Sequence, residues 1–160
     1  MNLILNLLTW KRTNILTLVV LSLLVVFSFY GVYTNSFYLT KLDNYIFPLL
    51  SVIHFLYIYV IWFKISEDEL PDPKMRNLEY ALYAVMVVYA YKIYESITII
   101  NSVSGLQEHF IPDTFGTMST LILVLYCLLF ALTLLSFWIR KRHIGIYNFE
   151  NFNDNLNMWQ

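Results

Sequence analysis

The sequence predicts an all-α integral membrane protein: four transmembrane helices in a bundle, both termini cytoplasmic, and a short amphipathic N-terminal helix in the membrane interface. Three observations lead there. Only 13% of the residues are charged and 59% are hydrophobic, whereas soluble domains carry about 25% charged residues. Four apolar runs are each long enough to cross a ~30 Å hydrocarbon layer, which takes ~20 helical residues. Lys and Arg, finally, gather at one side of these runs.

Residues 1–12, MNLILNLLTWKR, place Asn2, Asn6 and Thr9 on one helical face with Thr13, and Leu3, Leu7 and Trp10 on another. That pattern suits a helix lying among the headgroups. The first span is expected at residues 15–33. Lys11 and Arg12 before it imitate a signal peptide, but the apolar run is too long and no A-x-A-like cleavage site follows Gly31, so it reads as a retained span. The second span is expected at 45–63, with Pro48 one turn inside its start. In EDELPDPKMR, Asp72 can cap a helix and Pro73 suits its first turn, so the third helix should begin near Pro73, ahead of a span at 78–100. The fourth span is expected at 115–139, followed by a cytoplasmic tail at 140–160. The runs are continuous in hydrophobicity, which excludes a barrel, and backbone groups in lipid must pair within each segment, which makes them helices. No segment outside the runs is long enough for a core of its own, so the 160 residues read as one domain.

Direction follows from the basic residues. Lys11, Arg12, Lys64, Lys74, Arg76, Arg140, Lys141 and Arg142 fall on one side, making eight of the ten. Lys41 falls on the other and Lys92 within a span. This asymmetry predicts cytoplasmic termini. The bias toward Leu, Ile, Phe, Tyr and Asn fits an AT-rich coding sequence, as in a low-GC bacterium or phage, and the expected location is a bacterial cytoplasmic (inner) membrane.

Helical wheels separate the faces. Span one is the least polar and is expected on the outside. In span three, Tyr80, Tyr83, Val87, Tyr91, Tyr94 and Glu95 share an arc of about 120° at 100° per residue. Phenol hydroxyls need partners away from water, so this face is expected to meet protein or a wet cavity. Span four repeats Ser119, Tyr126 and Thr133 at seven-residue spacing, followed by Arg140, which keeps them on one helix-packing seam. No GxxxG occurs in any span, so large side chains must fill the spaces between helices.

The ionisable residues supply the candidate site. From the 1.5 Å rise per residue, His54, Lys92 and Glu95 come to a similar depth, forming a polar cluster lined by Tyr91 and Tyr94. The bland alternative is that Lys92 snorkels and Glu95 sits among headgroups. His54 is the only histidine in a span, which argues against haem. Glu108, His109 and Asp113 match no zinc spacing, and the single Cys127 can form neither an intrachain disulfide nor a cysteine-based zinc site. Without a nucleophile triad, H-E-x-x-H, P-loop or dinucleotide pattern, an enzyme is disfavoured and no cofactor or metal is expected. No basic surface suits nucleic acid.

In organisation alone the chain is similar to phage holins, small coupled transporters and membrane effectors of bacterial antiphage systems. Two functions fit: a self-associating homo-oligomer forming a pore-like or membrane-perturbing assembly in the lipid bilayer, or a non-catalytic accessory subunit. The accessory subunit would recruit a partner through the N-terminal helix, the 64–77 loop or the tail.

Overall fold

The computed structural model describes residues 9–102 and 111–147. Four helices dominate them: α1 (Trp10–Phe27), α2 (Ile46–Ser66), α3 (Pro73–Ser102) and α4 (Phe115–His143). Each is long and apolar enough to cross a membrane, which supports a multi-pass membrane protein.

Both α2 and α4 pack against α1 and α3. At one end Tyr57 of α2 and Arg140 of α4 both reach Glu79 of α3. At the other, Tyr33 bonds Ser102 at 2.8 Å and its ring lies 5.2 Å from Phe115. The first is the basic end, because α1 and α3 begin and α2 and α4 finish there with Lys11, Arg12, Lys64, Lys74, Arg76, Arg140, Lys141 and Arg142. The second is the hairpin end.

The hairpin corrects the expected first span. Instead of running to residue 33, α1 stops at Phe27, and β1 (Tyr30–Gly31) pairs antiparallel with β2 (Ser36–Phe37). The turn uses Asn35 at φ 50°, a left-handed conformation that Asn tolerates. Gly31 is required by close approach, since a Cβ there would lie 2.6 Å from the Tyr38 ring. Trp10, Lys11 and Arg12 belong to α1 itself, while residues 1–8 of the expected interfacial helix lie outside the described residues.

The second correction concerns which helix is outermost. Thr13, Asn14 and Thr17 of α1 are buried with Val20, Leu21 and Leu24. About the same share of α1, α2 and α4 is covered, 33% of each span, against 22% for α3. Burial follows the face a helix presents more closely than its average polarity. The first turns of α1 carry small hydroxyl and amide side chains that let its neighbours approach. The interior is filled by large rings: Phe137 lies 5.6 Å from Tyr57 and 4.7 Å from Tyr83, and Phe47 lies 5.8 Å from Tyr89 and 5.4 Å from Tyr126.

The α2–α3 connection is locked by its own charges. Lys64 bridges Glu69 at 2.7 Å and Asp72 at 3.0 Å, and Asp72 Oδ1 accepts the Met75 N–H at 2.7 Å, capping α3 with Pro73 in its first turn. Burial disfavours the Asp72 carboxylate, but the Met75 N–H and the Lys64 ammonium outweigh it and hold its pKa below the ordinary 3.8. Asp72→Ala is expected to destabilise the protein by about 1–2 kcal/mol in a detergent unfolding titration near neutral pH. Because the folded pKa is the lower one, the contribution is whole above the ordinary value and fades as pH falls through the folded value. The difference from wild type should therefore shrink in acid.

Candidate functional site

Polar groups occupy both ends of the helix assembly and its middle. At the basic end, one carboxylate collects four donors. Glu79 Oε1 accepts Arg140 Nη2 at 2.7 Å and the Tyr83 hydroxyl at 2.9 Å. Its Oε2 accepts Tyr147 at 2.8 Å and Tyr57 at 3.2 Å. A carboxylate offers about four acceptor positions, and here they are filled from α2, α3, α4 and the segment beyond α4. Glu79 is 2% exposed and Arg140 8%, so this is a buried ion pair completed by hydrogen bonds.

The sequence builds this site through the exit of α4. Gly145 at φ 104° lets the chain leave the helix in a conformation that disfavours other side chains. The Gly145 carbonyl accepts Arg140 Nη1 at 3.1 Å. The turn returns Tyr147 over Arg140, whose guanidinium carbon lies 4.5 Å from the ring centre. Burial, followed by the bond to the Glu79 carboxylate, pushes the Tyr147 phenol well above its ordinary pKa, which keeps it a donor at physiological pH.

In the middle, His54 Nδ1 lies 3.0 Å from the Tyr89 hydroxyl. Both residues are fully buried, and His54 Nε2 has no hydrogen-bond partner among the described residues. Toward the hairpin end, Lys92 and Glu95 form an ion pair at 2.6 Å along their own helix. They open into a crevice of about 240 Å³ shared with Ser96, Ser119 and Tyr126 beneath the Tyr30–Tyr33 segment.

This arrangement divides the expected cluster of His54, Tyr91, Lys92, Tyr94 and Glu95. Lys92 and Glu95 are together, His54 instead joins Tyr89, and Tyr91 and Tyr94 are 59% and 66% exposed on the outside of α3. The physical reason is that α3 has two seams. Met75, Glu79, Leu82, Met86, Tyr89 and Ser96, stepping by three, four or seven, face the other helices. The tyrosine stripe lies roughly opposite at 100° per residue. A paired glutamate and close-packing Leu and Met side chains fix the inner face more strongly than a count of hydroxyls does. Ser119, Tyr126, Thr133 and Arg140 of α4 are all buried. Glu108 and His109 lie outside the described residues.

Sequence reasoning missed Glu79, Tyr57, Tyr89 and Tyr147. The seven-residue repeat of Met75, Leu82, Tyr89 and Ser96 was a usable signal. Glu79 lies one residue inside the expected span, where nothing nearby in sequence marks it as the partner of Arg140. Two of the basic residues read as topology signals, Lys64 and Arg140, are also buried ion-pair members.

Comparison with protein families, curated proteins and solved structures finds no match.

Glu79→Gln is expected to cost about 3–5 kcal/mol, the usual result of leaving one charge of a buried pair alone. The double variant Glu79→Gln with Arg140→Met should recover a measurable part of that loss. Unfolding free energies in detergent, arranged as a double-mutant cycle, check it.

Proposed function

We propose that this small multi-pass membrane protein self-associates through the tyrosine face of α3 into a pore-like or membrane-perturbing assembly. The observation that carries this reading is the exposure of that face: Tyr80 60%, Tyr83 44%, Val87 70%, Tyr91 59% and Tyr94 66%. Steps of three, four, four and three residues are the spacing of a helix-packing seam. Hydrocarbon offers the Tyr80, Tyr91 and Tyr94 hydroxyls no partner, and a second copy of α3 would supply the same row of donors and acceptors; the Tyr83 hydroxyl is already bonded to Glu79. The interior of one copy is occupied by Tyr57, Tyr89, Leu82 and Leu129, all without exposed surface, so an aqueous pore belongs between copies.

The gathering of eight basic residues at one end supports cytoplasmic termini. The accessory-subunit alternative has less support. Glu69 and Asp72 of the loop it would use to bind a partner are engaged by Lys64.

Val87→Cys, placed in a Cys127→Ser background, should cross-link into dimers in dilute proteoliposomes. Tyr91→Phe with Tyr94→Phe should weaken association by roughly 1 kcal/mol, or about fivefold in Kd. A detergent-corrected mass of one copy, with no cross-link, overturns the reading.

A further inference from the structure

We propose that the buried column Tyr126–Tyr89–His54–Tyr57–Glu79 carries protons between the hairpin-end crevice and the basic end, within a single copy. The inference goes beyond self-association and stands without it.

The crevice is the entrance. At about 240 Å³ it has room for several waters at ~30 Å³ each, and the Lys92–Glu95 pair gives it proton donors and acceptors. Tyr126, only 5% exposed, lines it together with Glu95. Phe47 packs against the rings of Tyr126 and Tyr89 and holds them in one cluster. From Tyr89 a direct 3.0 Å contact reaches His54 Nδ1. One turn along α2, about 4.5 Å of rise, stands Tyr57, which is bonded to Glu79 Oε2 at 3.2 Å.

The chemistry favours protons over other ions. Tyr57, Tyr89 and His54 are packed without exposed surface, so no hydrated cation can pass between them. A proton needs no passage, only hydroxyls and an imidazole in sequence. Tyr126 oxygen takes a proton from crevice water as its own passes to Tyr89 oxygen, and the Tyr89 proton passes to His54 Nδ1. The imidazolium then releases a proton from Nε2 to the Tyr57 oxygen as Tyr57's own passes to Glu79 Oε2, and Glu79 gives one up to the oxygen of half-buried Tyr147 as Tyr147 releases its own to water at the basic end. Each hop forms one O–H or N–H bond as it breaks another, and no electron is transferred. Two hops, Tyr126 to Tyr89 and His54 to Tyr57, have no direct bond in the structure. They require side-chain rotation, which makes the path slow and gated.

The charged surroundings of His54 are few. Its own helix buries Tyr57 and Lys64, and α3 buries Glu79 and Tyr89. Tyr126 and Arg140 come from α4, and α1 buries no titratable group. Glu79 and Arg140 neutralise one another, as do Lys92 and Glu95, so among the described residues no unpaired charge lies along the column to hold a proton permanently.

The test uses the full chain in liposomes containing a pH dye, with an acid step outside and valinomycin to dissipate charge. Wild type should acidify the lumen faster than empty liposomes. His54→Gln and Tyr89→Phe should each slow this at least tenfold, with helicity and melting measured alongside. Tyr89→Phe keeps the ring and removes only the hydroxyl, so it decides the matter if His54→Gln misfolds. Tyr59→Phe, which removes an exposed phenol of α2 outside the column, should leave the rate unchanged. Lumen pH that follows empty liposomes, an undiminished rate in folded Tyr89→Phe, or an equal slowing in Tyr59→Phe each overturns the proposal.

Discussion

The Glu79 carboxylate is the constraint on which the helix arrangement depends. A carboxylate taken out of water costs several kcal/mol unless it is paired and its lone pairs are filled. Here the partners come from separate parts of the chain: Tyr57 on α2, Tyr83 on α3, Arg140 on α4 and Tyr147 beyond it. Satisfying one group therefore sets the rotation of three helices and the course of the segment that follows. If α3 turned by a third of a revolution, Glu79 would face outward and the Tyr80 stripe would come in. Arg140 would then lose its counter-charge.

That rotation decides what the outside looks like. Directing Glu79, Leu82, Met86 and Tyr89 inward leaves Tyr80, Val87, Tyr91 and Tyr94 outward. The exposed tyrosine row is thus a consequence of the buried ion pair. A pairing within the chain thereby decides which side chains lie on the outside of α3. The same rotation leaves Lys92 and Glu95 at the flank of α3, where their side chains stay 31% and 40% exposed beside the crevice. An ion pair so placed is worth little to stability, and it keeps charge and water close to the buried phenols.

The two ends are built by different means. The basic end is held by charge: the Glu79 group, and the Lys64–Glu69–Asp72 bridge that closes the α2–α3 connection. The hairpin end is held by aromatic contacts and short backbone pairing, with Phe29 against Tyr45 at 4.9 Å and Tyr33 against Phe115. Between the ends, the buried polar groups besides His54 and its phenol neighbours are hydroxyls such as Thr17, Ser51 and Thr133, each bonded to a carbonyl of its own helix.

The amino-acid sequence by itself determined the number of spans, the start of α3 and the gathering of basic residues. These depend on local quantities: apolar length against membrane thickness, a cap-forming Asp72 before Pro73, and the positions of Lys and Arg. The end of α1 and the facing of α3 were settled only in three dimensions. A hairpin can end a helix early when Tyr30 and Phe37 find each other, and 78–100 reads equally well with either seam inward. The candidate site was legible only in fragments. Lys92 and Glu95 are close in sequence and stayed together. Glu79 and Arg140 stand 61 residues apart, and His54 and Tyr89 stand 35 apart. Nothing local joins such residues. Their pairing follows from the need to satisfy buried polar groups, and only the packed helices decide which partner meets that need.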